Sequence, residues 1–320
     1  MKLKISVLLI LLSGYWLKAQ QGTVFNLYFQ DHYYLNPAAA GSKGISVFSM
    51  SAKEFWLGFP DKTPGTQVIS YNTRLGKINP SFNKRKRYSR KGDEGKVGIG
   101  AMLYNDINGP IRKTGILLTY AYHVRLHNSN LSFGISSFSY QVFTDNEKLK
   151  LKYTGDPYLN ESEAFYATDA NIGAYLTGKD YFLSVSAHNL LESQIKLEEN
   201  EYITYIDARQ YDFMSGYTFT LNNQLDFEPS MLFQTDEQFS TRMDLNFKLM
   251  YNKKFWFGIG ISSKSTLNAF VGIISDQFDF GYSFQLPEGD VIQYSLGAHE
   301  IMFSIKFGDN KFNRYSRSFR

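Results

Sequence analysis

The chain has 320 residues, 34 Lys and Arg against 30 Asp and Glu, 17% aromatic residues and no cysteine. The absence of cysteine excludes disulfides, thiolate metal sites, a catalytic cysteine and a lipid anchor attached through cysteine. The small net charge gives no argument for a nucleic-acid partner, and this length suits two soluble domains or one large barrel.

Residues 1–19 have the layout of a secretory signal peptide. Lys2 and Lys4 precede an apolar run from Ile5 to Leu12, and Ala19 offers a small residue for cleavage before Gln20. The apolar run is too short to span a bilayer as a helix. Removal of residues 1–19 takes away Lys2, Lys4 and Lys18 and leaves 31 basic against 30 acidic residues. We therefore expect an exported protein that is near neutral.

From Gly44 onward, apolar and polar residues alternate, and this predicts β-strands with one apolar and one polar face. In one segment, Met243, Leu245 and Phe247 alternate with Asp244 and Asn246. The pattern predicts fourteen strands, at about 44–58, 64–75, 95–106, 112–126, 129–142, 166–177, 180–190, 209–221, 223–235, 240–251, 254–263, 266–275, 277–286 and 291–307.

A membrane barrel explains these segments better than a soluble β-sandwich. A sandwich alternates too, but here the apolar faces are aromatic throughout and the strands have about ten residues, as a tilted span requires. The polar faces carry charged residues in mid-strand, which suits a polar lumen. The fold class predicted is all-β, a transmembrane outer-membrane antiparallel barrel of about fourteen strands.

Loop lengths predict the orientation. With an even number of strands both ends lie in the periplasm, and periplasmic turns are short. Tight turns are expected at 127–128, 178–179, 222–223, 252–253 and 276–277, and long outer connections at 143–165 and 191–208. The predicted organisation is a signal peptide (1–19), an N-terminal periplasmic segment (20–43), the barrel (44–307) and a C-terminal periplasmic tail (308–320).

Two local irregularities are expected in the strands. Pro229 cannot donate to a ladder, which predicts a bulge in the middle of its strand. In the last strand the apolar face changes phase, and one extra residue near His299 and Glu300 would account for the change as a β-bulge.

A basic stretch interrupts the pattern of short periplasmic turns. Residues 76–94 would form a long loop that could dock an acidic periplasmic partner or lipid headgroups, or simply be solvated. Its candidate contact residues are Lys84, Arg85, Lys86, Arg87, Arg90 and Lys91. The tail, which carries Arg314, Arg317 and Arg320, could also touch a partner.

No catalytic, cofactor or metal site is predicted. The five histidines lack the spacing of metal ligands, since His123 and His127 lie about 13 Å apart if they share one strand. Ser186 and His188 share a strand face and invite a hydrolase interpretation. We expect them to be too far apart for a nucleophile and its base, and to be a polar pair lining the lumen.

Three stretches resemble the PorP/SprF family of Bacteroidetes outer-membrane proteins, which is linked to type IX secretion and gliding motility. The first is the run Asn36-Pro37-Ala38-Ala39-Ala40-Gly41. The second contains Trp56 and Pro64, and the third is Gly297-Ala298-His299-Glu300. One departure is Lys53-Glu54-Phe55, where the family has an Arg before the tryptophan.

The resemblance implies an assembly role in a Gram-negative, Bacteroidetes-like outer membrane. Its partners would be type IX components, a secreted surface cargo such as a large adhesin, and outer-membrane lipid, with no cofactor. Asn36, Pro37, Gly41, His299 and Glu300 match family motifs to which we assign a structural role. The turn at Asn36-Pro37 could seat residues 20–43 in or beneath the barrel mouth.

Three hypotheses follow. The first is a non-enzymatic barrel that supports the secretion or surface anchoring of a specific cargo. The second is a diffusion pore or uptake channel, because fourteen strands leave an interior that side chains need not fill. The third is an outer-membrane hydrolase that depends on Ser186 and His188.

Overall fold

The computed structural model describes residues 25–58, 63–75, 96–144, 163–192, 194–196, 204–263, 266–286 and 295–308. Three 3-10 helices precede the strands: Asn26–Phe29, His32–Tyr34 and Pro37–Ala39. The strands are β1 Ser46–Glu54, β2 Gly65–Leu75, β3 Val97–Asn108, β4 Ile111–Arg125, β5 Asn130–Thr144, β6 Glu163–Thr177, β7 Tyr181–His188, β8 Gln194–Lys196, β9 Thr204–Ile206, β10 Gln210–Tyr217, β11 Phe219–Thr220, β12 Leu225–Asp236, β13 Thr241–Tyr251, β14 Phe255–Ser262, β15 Leu267–Ile274, β16 Phe278–Gln285 and β17 Ala298–Phe307.

These strands form a closed antiparallel barrel of fourteen strands, as predicted. Each barrel strand pairs with its neighbours in sequence, β1 pairs with β17, and β10 pairs with β12. The short β11 continues β10 along β12, whereas β8 and β9 form a separate two-stranded hairpin between β7 and β10.

The alternation of the sequence places apolar side chains outside and polar ones inside. On β13, Met243, Leu245 and Phe247 are exposed on the outer face, while Asp244 and Asn246 are buried on the inner face. An outer surface of this kind matches the hydrocarbon of a bilayer. Among the described residues, no helix is both long and apolar enough to cross a membrane.

The two ends of the barrel differ. The turn end carries the entry to β1, the exit from β17 and the short turns at 126–129, 178–180, 221–224, 252–254 and 275–277. The loop end carries the longer connections at 145–162, 189–209 and 286–297 together with shorter ones. The basic stretch 76–94, the signal-peptide region and the tail beyond residue 308 lie outside the described residues.

The predicted bulge at Pro229 is wrong. Strand β12 keeps one continuous register, with Ser230 opposite Gly216 and Phe227 opposite Phe219. Because proline has no N–H to donate, the ladder breaks opposite it, and the break separates β10 from β11. The missing N–H donor of Pro229 interrupts the pairing of the two strands, but neither strand contains an extra residue at the break.

The predicted bulge at His299 and Glu300 is also wrong. From Ala298 onward, β17 pairs regularly with both β1 and β16. The change of phase arises because the strand begins only after Gly297, whose φ of 93° turns the chain. Leu296, which had been assigned to the strand, instead pairs with Leu57 in the neighbouring loop.

Candidate functional site: a plug inside the barrel

Residues 25–43, which we call the plug, lie inside the barrel. Side chains from the three 3-10 helices, among them Leu27, Tyr28 and Ala38, are almost fully buried against inward-facing residues of the wall. The sequence predicts a periplasmic segment at residues 20–43, with a seat in or beneath the barrel mouth. From Phe25 onward the segment fills the lumen itself.

The plug is anchored near the loop end by Glu300. Its carboxylate accepts hydrogen bonds from the backbone N–H groups of Asn26 (2.6 Å) and Leu27 (2.9 Å). The Asn26 side chain accepts from Lys53 at 3.1 Å and donates to Ser283 at 3.2 Å. Lys53 and Glu300 are direct cross-strand partners. Buried charges are tolerated where hydrogen bonds and an opposite charge compensate for their desolvation.

Aromatic packing fills the middle of the lumen. The ring of Phe29 meets Trp256 and Phe270 edge-on, with centroids 5.7 and 5.2 Å apart. The Tyr28 hydroxyl accepts a hydrogen bond from Asn246 at 2.7 Å. Edge-to-face pairs of this kind add to the burial of apolar area. The plug therefore packs against the wall as a protein core does.

The run Asn36-Pro37-Ala38-Ala39-Ala40 lies on three inward-facing glycines, which we call the glycine floor: Gly98, Gly134 and Gly173. A fourth inward-facing glycine, Gly100, lies against the side chain of Tyr33 in the plug. A Cβ atom on Gly134 would overlap the backbone of Ala38, and one on Gly173 would overlap the Asn36 side chain. A glycine inside a strand often marks the close approach of another backbone. The small residues of the motif and the floor are thus two sides of one contact.

Asn36 ties the plug to β6 and β7. Its Oδ1 accepts from the N–H of Ala38 at 2.8 Å and caps the third 3-10 helix. Its Nδ2 lies 2.9 Å from the carbonyl of Ala174 and 2.8 Å from the hydroxyl of Ser184. The side chain is fully buried, so one amide stabilises both the plug's local conformation and its position against the wall.

Gly41 lies near the C-terminal end of the plug, at the turn end of the barrel. Its φ is 70°, and a Cβ atom there would lie 2.7 Å from the carbonyl oxygen of Thr73. Its N–H donates to the side chain of Asn72 at 3.1 Å. A positive φ and this close approach both favour glycine.

The C-terminal motif serves both the wall and the plug. A Cβ atom on Gly297 would lie 2.6 Å from the carbonyl oxygen of Gln285. His299 packs against Phe284 at 5.3 Å between ring centroids, and its Nδ1 lies 2.7 Å from the Tyr282 hydroxyl. Glu300, the next residue, reaches the plug. Through Glu300, the C-terminal motif thus contacts the segment that contains the N-terminal motif.

The remaining motif residues lie in the loop between β1 and β2. The carbonyl of Pro64 accepts from the N–H of Phe55 at 2.9 Å, which extends the pairing of the two strands. Trp56 has a positive φ of 51°, and its side chain is 40% exposed. None of these contacts reaches the plug in the part of the chain that is described.

Ser186 and His188 lie closer together than expected. His188 Nε2 is 3.2 Å from the Ser186 hydroxyl and 3.2 Å from Asp212, so the expectation that the pair is too far apart is wrong. The same nitrogen makes both contacts, whereas a catalytic triad uses the two ring nitrogens for different partners. The Ser186 hydroxyl donates to the carbonyl of Leu35 in the plug at 2.7 Å. The group holds the plug rather than presenting a nucleophile.

His32 is buried inside the plug. Its Nδ1 lies 2.6 Å from the Tyr175 hydroxyl, and its ring centroid lies 4.3 Å from that of Phe182. Burial, with the positive charges of Lys43 and Lys248 nearby, lowers the pKa of His32 to about 3. His32 is therefore neutral at physiological pH. Among the described residues, no three His, Asp or Glu side chains gather as a metal site.

Sequence reasoning missed the plug's position and several residues that hold it. Asn26 belongs to no motif that had been singled out. Gly98 and Gly100 are not among the predicted site residues either. Their spacing on alternate residues of a strand was the available signal, since it leaves a gap on one face where another part of the chain can approach closely.

Among known protein families, one matches this chain over most of its length. The family model described as "Type IX secretion system membrane protein PorP/SprF" matches residues 17–305. No curated protein matches the chain.

Among solved structures, a FadL homologue of Pseudomonas aeruginosa is 9% identical, with 85% of this chain and 91% of that chain covered and a TM-score of 0.43. The CymD monoaromatic hydrocarbon channel is 11% identical, with 91% and 96% covered and a TM-score of 0.44. Omp33 of Acinetobacter baumannii is 9% identical, with 83% and 98% covered and a TM-score of 0.42. These likenesses say nothing about function.

Proposed function

Because the chain belongs to the PorP/SprF family of type IX secretion membrane proteins, we propose that it is a plugged, non-enzymatic barrel that supports the secretion or surface anchoring of a specific large cargo protein such as an adhesin. Its place in the outer membrane follows from the family and the barrel. We further propose a Gram-negative, Bacteroidetes-like host and export through the signal peptide at 1–19.

The observation that carries this proposal is the filled lumen. A fourteen-stranded barrel is wide enough for a channel, yet residues 25–43 occupy its interior with hydrogen bonds and aromatic packing. A pore or uptake channel needs a continuous aqueous path. A sealed barrel instead keeps the outer membrane closed while its two ends contact other proteins.

The two ends of the barrel would contact different partners. We assign the turn end to the periplasm, because short turns face that side in bacterial barrels. The basic stretch 76–94 then lies on the periplasmic side, where it would contact type IX components through Lys84, Arg85, Lys86, Arg87, Arg90 and Lys91. The loop end faces the cell exterior, where the cargo is held.

Ion pairs hold the described part of the loop end together. Lys113 pairs with Asp207, and its ammonium lies 4.1 Å from the centroid of Tyr140. Arg209 bridges Glu192 at 3.1 Å and Glu237 at 3.2 Å. These contacts fix both ends of the connection that carries the β8–β9 hairpin. A fixed outer surface suits the recognition of one particular cargo.

Deleting the gene and locating the cargo tests this proposal. The deletion strain is expected to lose a specific large protein from its surface, either into the medium or by retention in the periplasm. Restoring the full-length protein should return that cargo to the surface. An unchanged surface proteome, together with slower uptake of small solutes, would contradict the proposal and favour a channel.

A further inference from the structure

Five outward-facing residues form a continuous polar row across β2 to β6. They are directly opposed from strand to strand, so each side chain lies next to the following one. We call this row the polar ladder: Gln67, Asn105, Thr114, Gln141 and Tyr166.

The side chains of the ladder are linked by hydrogen bonds. Asn105 donates to Gln67 at 2.7 Å and Thr114 donates to Asn105 at 2.9 Å. Gln141 donates to the Tyr166 hydroxyl at 3.0 Å. Each of these bonds lies on the exposed surface. The amide and hydroxyl groups are held in place with further donor and acceptor capacity directed outward.

The ladder begins where the apolar outer surface ends on β2, β3 and β4. The next row toward the turn end contains Ile69, Leu103 and Ile116, which are 43%, 52% and 43% exposed. These side chains match hydrocarbon, whereas amide groups do not. On these three strands the boundary between the rows therefore marks the edge of the hydrocarbon layer. On β5 and β6 the polar outer surface continues one row further, to Ser139 and Thr168, whose hydroxyls lie 3.1 Å apart.

The inner face of the same strands supports this boundary. On the inner face of β5, a buried apolar cluster of Phe138, Tyr140 and Val142 begins just below the level of this boundary and continues above it. Further toward the turn end, Ser132 and Ser136 of the same strand are buried on the inner face. An apolar inner face with a polar outer face is the pattern of a sheet in water. The ladder thus lies in the headgroup layer, directly above the hydrocarbon.

We propose that the polar ladder binds the sugar headgroup of a glycolipid in the leaflet at the loop end. The row offers amides and hydroxyls but no charge, which suits a polyhydroxylated headgroup. Tyr166 is 77% exposed and offers a ring face to a sugar. Arg112 lies two positions from Thr114 on β4, on the same outer face and closer to the loop end. Its side chain is exposed and would bind a phosphate on the same headgroup. This inference does not depend on the cargo role.

Glycolipid that co-purifies with the barrel tests the inference. The full-length protein is extracted from native outer membranes in mild detergent, and bound glycolipid and phospholipid are quantified by mass spectrometry. The triple variant N105L/T114V/Q141L should retain less glycolipid, by about five-fold for each hydrogen bond lost between the ladder and the sugar headgroup. The control variant L103I/I116L, which keeps the apolar row, should retain the wild-type amount.

A second variant, N105A/Q141A, covers the case in which the triple variant does not fold, as judged by resistance to unfolding in SDS. Equal glycolipid retention by folded ladder variants and the control would overturn the inference. Retention of phospholipid alone by the wild type would also overturn it. If the deacylated, soluble sugar competes as well as the intact glycolipid in reconstituted vesicles, the site belongs to a free glycan and the lipid assignment is wrong.

Discussion

The carboxylate of Glu300 accepts a hydrogen bond from the backbone N–H of Leu27 at 2.9 Å, across 273 positions of the sequence. This bond joins the C-terminal motif to the N-terminal plug. Since β17 also pairs with β1, closing the barrel and seating the plug involve the same strand. Strand β17 therefore contributes both to the closed wall and to the position of the plug.

Replacing Glu300 by Ala should loosen the plug. The change removes two hydrogen bonds to the plug and leaves the buried Lys53 without its acidic neighbour, and breaking a buried charge pair costs about 3–5 kcal/mol. In planar bilayers the wild type should be closed, and E300A should show openings. Glu54→Ala, at an exposed position, is the control. A silent E300A that still folds would contradict this role.

Adding a methyl group to the glycine floor should displace the plug. Gly134→Ala places a Cβ against the backbone of Ala38, which cannot move without shifting the motif. Overpacking of this kind costs about 1–3 kcal/mol. Protease protection of the plug should fall. Gly65→Ala, where the nearest atom would be 3.4 Å away, is the control, and equal protection in both variants would argue against the floor.

The two functions of Asn36 can be separated by substitution. Asn36→Asp keeps an oxygen to cap the helix but loses the N–H donors to Ala174 and Ser184. Leaving these buried acceptors unsatisfied costs about 1–3 kcal/mol, and a buried carboxylate costs more. The midpoint of unfolding in SDS should fall for both N36D and N36A. Wild-type stability of N36D would show that only the cap matters.

Acidification should loosen the plug through His32. Its pKa of about 3 in the folded state lies below the ordinary value of 6.5. The neutral form therefore stabilises the seated plug above pH 6.5, and this contribution is lost as the pH falls from 6.5 toward 3. The hydrogen-exchange protection factors of the plug, which are corrected for the intrinsic effect of pH on exchange, should fall between pH 7 and 5 in the wild type. The same fall in His32→Gln would contradict this cause.

Alternation along the chain predicted the barrel but not what fills it. The strand predicted at 240–251 agrees with the observed strand Thr241–Tyr251. The prediction succeeds because alternate residues of a strand lie on opposite faces, and the two faces of this strand differ in polarity. The plug lacks such a period, since its burial is set by contacts with Glu300 and Gly134, which are distant in sequence. The expected bulges failed for a related reason. A proline in a strand can interrupt the pairing without an inserted residue. A change of phase in the apolar pattern can mean that the strand begins later in the sequence, and not that it contains a β-bulge.

The central claim is that this plugged barrel binds a specific cargo protein and does not conduct small solutes. The most direct measurement is affinity purification of the tagged full-length protein from native outer membranes, with identification of its companions by mass spectrometry. We expect recovery of one large surface protein together with type IX components. Reproducible recovery of the barrel alone in gentle detergent, with steady conductance in planar bilayers, would contradict it.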